Sequence, residues 1–316
     1  SQEELHPAVN ALMKDLASRD GEPEGERFRL HMVNALWGQE GYAFQQPFLN
    51  QMDRYYDAGL REVNYAADVE TARRIINAWV AEQTEDRIEG LIPEGVLNDL
   101  TRLVLTNAVY FNAAWAQPFD EEMTADGGFT LLDGGEISVP MMQQAADFRY
   151  AEMNGFQAVE LPYQGGDFSM LVLLPGHGEF GAFEEGFSLD MIEDTLSELR
   201  VTNLALRMPV FETSSAFDLS KTLGSLGIVD AFTMDADFSG MDGTTDLFIS
   251  AVLHKAFVSV DEAGTEAAAA TAVVMQLKAV MQPPVEVSVD RPFVFLIRDN
   301  RSGTILFMGR ILDPTG

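Results

Sequence analysis

The chain of 316 residues carries 50 acidic against 20 basic side chains, a formal net charge of -30 at pH 7, with 47% hydrophobic residues and no cysteine. That charge repels nucleic acid and anionic lipid, and the lack of cysteine removes disulfides, thiol nucleophiles and cysteine-type zinc sites. The apolar content suffices for a large core, and no apolar run in the sequence reaches the length of a membrane span.

In chain order, Val9, Leu12, Met13 and Leu16 recur at helical spacing and predict a helix from His6 to Ser18. GEPEGE, starting at Gly21, reads as a polar turn, and FRLHMVNALWG alternates like a strand. Val69 to Ile88 is an amphipathic helix with an acidic first turn. TRLVLTNAVYFNAAW, QAVELPY, FSMLVLLP and NLALRMPVF read as strands, LSKTLGSLGIVDAF as a second helical stretch, and HKAFVSVDE as an extended run. PFVFLIRD and TILFMGRIL, joined by NRSG, read as a buried hairpin. Strands and helices mixed without regular alternation predict an α+β fold, and the absence of repeats or a linker predicts one continuous domain over residues 1–316.

Several strings imitate chemical motifs. GHGEFG, from Gly176 to Gly181, matches Gly-x-Gly-x-x-Gly behind a strand, but Pro175 blocks the tight turn and no βαβ unit surrounds it. DADFSGMDGTTD, from Asp235 to Asp246, spaces Asp235, Asp237, Ser239 and Gly240 like a calcium loop but lacks the bidentate glutamate and two flanking helices. His6, His31, His177 and His254 are scattered, and no Gly-x-Ser-x-Gly elbow occurs. No cofactor, metal or catalytic centre is expected. Lysine is confined to Lys14, Lys221, Lys255 and Lys278. Two readings of this acidic, lysine-poor composition stay open: adaptation to high salt, where screening relieves self-repulsion, and a compositional preference for arginine.

The stretch DEAGTEAAAAT, from Asp261 to Thr271, is the most informative. By propensity Glu-Ala-Ala-Ala-Ala should open a helix. As a strand, Thr265, Ala267, Ala269, Thr271 and Val273 share one face, and Glu266, Ala268, Ala270 and Ala272 the other. A strand of alanines is a poor resting strand and a good candidate for one that must enter a tight slot, with Gly264 as its pivot. The Pro283-Pro284 pair downstream breaks any helix.

These residues resemble the hinge of the serpins, whose inhibitory members carry Glu-x-Gly-Thr-Glu-Ala-Ala-x-Ala-Thr at the start of an exposed reactive-centre loop. HKAFVSVDEAGTEAAAAT, TNAVYFNAAWAQPFD and RPFVFLIRDNRSGTILFMGRILDP are similar to serpin signature segments and stand in the family's order. The resemblance implies a large central, mostly antiparallel sheet, smaller sheets, surrounding helices and a reactive-centre loop at about 262–284. It also implies a function: a serine protease cleaves the loop and forms an acyl-enzyme, and the freed hinge inserts into the central sheet, trapping the protease. The implied protein is a suicide inhibitor, a monomer with a protease partner, and not an enzyme; a secreted or cell-surface location fits, although no signal is visible. Its rival is a non-inhibitory serpin acting as chaperone or carrier. The alanine hinge argues for insertion.

Matching residue by residue, Glu262, Gly264, Thr265, Glu266, Ala267, Ala268, Ala269 and Ala270 form the hinge. Trp115 matches the tryptophan where the strand first enters the sheet, and Asn107 and His254 match a polar pair that helps control its opening. The family's loop spacing puts Lys278 on the acyl side and Ala279 on the leaving side of the reactive bond, which suits a trypsin-like protease with its acidic pocket. Leu277 would suit a chymotrypsin-like enzyme, Met281 follows from counting back from Pro283, and an elastase-like target stays open. Serpins usually begin with several further helices and a strand. Here HPAVNALMKDL resembles a later helix, so a longer protein is expected, and without that layer Asn107 and His254 should lack serine partners and an apolar surface should be open.

Overall fold

The computed structural model describes residues 2–18, 29–56, 59–265 and 283–315. In chain order the elements are α1 (Gln2–Ala17), β1 (Arg29–Gln39), α2 (Gln46–Tyr56), β2 (Leu60–Val63), α3 (Val69–Gln83), β3 (Leu103–Ala114), β4 (Ala125–Thr130), β5 (Glu136–Met153), β6 (Phe156–Pro162) and β7 (Phe168–Pro175). They continue with α4 (Phe180–Glu185), α5 (Leu189–Glu198), β8 (Arg200–Pro209), β9 (Phe211–Asp218), α6 (Ser220–Ser225), α7 (Ser239–Asp242), β10 (Val252–Val260), β11 (Gly264–Thr265), β12 (Val285–Ser288), β13 (Phe293–Asp299) and β14 (Ile305–Ile311). The described residues form two compact units, one drawing on α1, Arg29–Phe111 and Ser214–Phe257, the other on Asn112–Thr213 and Val258–Gly316.

In the first unit, α3 starts at Asp68, whose carboxylate accepts from the Thr71 amide at 3.0 Å and satisfies a donor the helix cannot. Its apolar stripe, Ala72, Ile76 and Val80, is buried with Trp37, Tyr65, Tyr110 and Phe257 in one core. Each large aliphatic side chain so buried contributes about 1.5–3 kcal/mol. Trp37 meets Trp79 edge to face at 5.3 Å, and the Arg61 guanidinium lies 4.3 Å from the Trp79 ring centre. The helix stops at Gln83 rather than the expected Ile88, because Glu85 (φ 52°) and Asp86 (φ 62°) turn the backbone into the left-handed region. LSKTLGSLGIVDAF breaks likewise: α6 covers only Ser220–Ser225, and Gly227 at φ 103° ends the turn that follows. Strands β3 and β10 pair in parallel, from Leu105 with Val252 to Tyr110 with Phe257.

The second unit holds an eight-stranded sheet in the order β12-β8-β5-β6-β7-β13-β14, with β4 on β5. All its pairings are antiparallel except β12 with β8. FSMLVLLP is β7 to the residue, and all eight positions are buried. The C-terminal hairpin forms as β13 and β14, and Gly309 is required there, since a Cβ would lie 2.6 Å from the Phe295 ring. Phe156, Leu171, Leu173 and Leu296 face Phe180, Phe183 and Ile192 of α4 and α5 in a second core. GHGEFG is a turn leading into the short α4, where Phe180 serves that core. Glu160, buried in β6, accepts from Arg149, from Arg298 at 2.8 Å and from Ser169 at 2.9 Å, which satisfies the charge that burial would otherwise penalise.

A six-stranded sheet, β2-β1-β3-β11-β10-β9, contains the hinge strand. Its two-residue β11 is antiparallel to both neighbours, with Gly264 opposite Ala114, and Thr265 opposite Ala113 and Val260. A chain that leaves the end of β10 and folds back must run against β10, and β3 runs parallel to β10, so the returning segment suits both edges at once.

Candidate functional site

Five backbone and side-chain contacts hold the turn between β10 and β11. The Asp261 carboxylate accepts from the amides of Ala263 at 2.9 Å and Gly264 at 3.0 Å, and the Asp261 amide bonds back to the Gly264 carbonyl at 2.9 Å. This is the Asx-type cap that an aspartate before a tight turn offers. Burial pushes the Asp261 carboxyl above its ordinary value; the two amides oppose that shift, and Glu262 and Glu121 add to it. The Glu262 carboxylate accepts from the Thr124 hydroxyl, and its carbonyl accepts from the Phe119 amide at 2.8 Å.

The expected hinge residues Gly264 and Thr265 lie in β11. A side chain at 264 is excluded sterically: a Cβ would sit 2.2 Å from the Ala113 carbonyl oxygen and 2.7 Å from the Ala114 Cα. Thr265 is completely buried, and its hydroxyl pairs with that of Tyr163 at 2.8 Å. The Tyr163 ring stacks on Trp115 at 4.6 Å with 9° between planes, and the Trp115 indole N–H donates to the Asp261 carbonyl at 3.0 Å. Trp115 therefore joins Glu262, Gly264 and Thr265 in one cluster with Tyr163 and Asp261. Burial also raises the Tyr163 phenol, keeping it protonated at neutral pH. Glu266, Ala267, Ala268, Ala269, Ala270, Lys278 and Ala279 lie outside the described residues, as do Leu277 and Met281.

Asn107 and His254 face each other in the register of β3 and β10. The His254 Nδ1–H donates to the Asn107 amide oxygen, and the Asn107 amide donates to Asn34 Oδ1 at 2.7 Å. Asn34 thus supplies a polar partner that the sequence reading did not foresee. Phe217 stacks near-parallel on the imidazole at 6.4 Å. Burial holds His254 below its ordinary 6.5, so the folded chain takes up this proton less readily than the unfolded one. Stability from this group is therefore complete above pH 6.5 and is lost as pH falls below it. His254→Gln should lose less melting temperature than the parent on acidification through this range, measured as the difference between paired melts at each pH.

The family model for serpins, serine protease inhibitors, matches residues 1–314. The chain belongs to the serpin family. This serpin is 42% identical over 294 residues to a serpin-like protein of Thermococcus kodakarensis, covering 92% of this chain and 68% of that one. It is 38% identical over 324 residues to the leukocyte elastase inhibitor of Bos taurus, covering 98% and 83%. The structure of human thyroxine-binding globulin with thyroxine superposes with a TM-score of 0.88 at 29% identity, over 99% of this serpin and 81% of the globulin.

Sequence reading did not single out Tyr163 or Asp261. Asp261 had a signal, an aspartate two residues before Ala-Gly at the end of an extended run. Tyr163 had none, because its partner Thr265 lies 102 residues away.

Proposed function

We propose that this serpin is a suicide inhibitor of serine proteases, built as one inhibitory domain, with Lys278–Ala279 as the reactive bond and trypsin-like enzymes as its targets. The observation that carries the reading is β11. Gly264 and Thr265 of the hinge already occupy a strand position against Ala113, Ala114 and Val260, with the Thr265 side chain fully buried. Small residues at 267–270 can follow the same track, replacing a parallel pairing of β3 with β10 by two antiparallel ones. Inhibitory relatives such as the leukocyte elastase inhibitor favour the same activity, and they name an elastase-directed alternative for the target.

The test is incubation with trypsin-like, chymotrypsin-like and elastase-like proteases, read on a denaturing gel with mass spectrometry of the released peptide. A complex that survives denaturation, with a peptide starting at Ala279, is the expected result. A peptide starting at Lys278 would move the acyl residue to Leu277. Loop cleavage by every protease with no surviving complex would overturn the inhibitory reading in favour of a carrier or chaperone.

A further inference from the structure

We propose that Tyr163 is a positioning residue that latches the hinge in the sheet before any protease arrives, so that insertion starts from a formed nucleus. The proposal rests on the inhibitory reading and specifies which side chain prepares its decisive step.

A strand of two residues does not hold itself. Fixing each residue's backbone costs about as much as its hydrogen bonds return, so β11 has little stability from backbone pairing alone. Side-chain contacts decide whether it stays. The Thr265 hydroxyl pairs with the Tyr163 hydroxyl at 2.8 Å, and both residues are buried to within 1% exposure. Removing the phenol oxygen would leave a buried hydroxyl without that bond, while withdrawing the hinge would expose both groups to water. The ring cannot easily follow the hinge outward. It is held flat against Trp115, and Trp115 is tied by its indole N–H to the Asp261 carbonyl and by its backbone amide to the Ala263 carbonyl at 2.8 Å.

The latch sits where depth of insertion is set. Thr265 stands opposite Ala113 and Val260, a register that a strand lengthened beyond it along β3 and β10 would keep. Its bond to Tyr163 is therefore kept, and need not be broken, as the strand lengthens. Forming the first contact of a strand is the slow, entropically costly part of pairing, and each later residue adds to an existing edge. With that contact in place, insertion competes better against deacylation of the bound protease.

Tyr163→Phe removes the hydroxyl and keeps the stacked ring; Thr265→Val removes the partner and keeps the shape; Thr265→Ser keeps the hydroxyl. In the unreacted protein, amide hydrogen exchange at Gly264 and Thr265 should speed up about ten-fold in Tyr163→Phe and in Thr265→Val, the loss of one net hydrogen bond. It should stay at the parent rate in Thr265→Ser. The double variant should exchange no faster than either single one, because one bond is lost in all three. The number of inhibitor molecules consumed per protease trapped should rise in the same two variants, with the rate of first encounter unchanged. A general loss of stability would instead speed exchange across β7 and β13, which serve as the internal control. Parent-like exchange and stoichiometry in Tyr163→Phe, or additive effects in the double variant, would overturn the latch. A parent that traps no protease would overturn the inhibitory reading, and the exchange arm would still decide the latch by itself.

Discussion

Thr265→Arg is expected to turn the proposed inhibitor into a substrate: proteases should cleave the loop at the parent's rate and leave with almost none trapped. The position admits no charge. Thr265 has no exposed surface, faces the Tyr163 ring and hydroxyl, and lies between Ala113 and Val260. A guanidinium there must be buried without a carboxylate partner, at a cost of several kcal/mol, so the hinge leaves the sheet and insertion must begin against that cost. A barrier higher by about 3 kcal/mol slows a step roughly a hundred-fold, enough for deacylation to win the competition. Titration of protease with the variant checks this. Equal stoichiometry for variant and parent would show that the place of residue 265 in the sheet does not matter to trapping.

Clean cleavage at Lys278–Ala279 should raise the melting temperature, where nicking an ordinary domain lowers it. In the proposed mechanism the cut frees the segment after Thr265 to continue β11 between β3 and β10. About a dozen new backbone hydrogen bonds at roughly 1 kcal/mol net each amount to about 10 kcal/mol. For a chain of this size 1 kcal/mol moves the midpoint by roughly 2–4 °C, so a rise of about 20 °C or more is expected. Calorimetry before and after loop cleavage measures it. An unchanged or lower midpoint would contradict both the stored energy and the trapping built on it. The uncleaved form is then held by a barrier and not by its equilibrium stability.

Where a segment's surroundings are uniform, its sequence announced its structure. FSMLVLLP is buried along its whole length and bounded by Gly165, Gly166 and Gly176, so apolar continuity and flanking glycines were sufficient. The helix from Val69 was equally plain at its start, where Asp68 caps it, and was overrun at its end because left-handed Glu85 and Asp86 carry no residue signature. NLALRMPVF was read as one strand and is two, β8 and β9, separated at Val210 after Pro209. Strand β5, 18 residues long and rich in polar side chains, was missed because EISVPMMQQAADFRYAEM lacks a single face of apolar side chains. At the hinge, composition pointed to Gly264 and Thr265, since only small residues suit a slot. The group that holds Thr265 there, the Tyr163 hydroxyl, meets it across 102 residues of sequence and leaves no local pattern.

Strand β10 passes into β11 through only Asp261, Glu262 and Ala263. In the proposed mechanism the spring and its trigger are one continuous wire, joined through the backbone of this short bend. Pull on the loop is carried by peptide bonds directly into the sheet, and the three-residue bend, pinned by the Asp261 carboxylate and by Thr124 on Glu262, is the fulcrum about which it acts. In the proposed mechanism a lengthened bend would free β11 to slip in register between β3 and β10, even with every residue of the inserting strand intact.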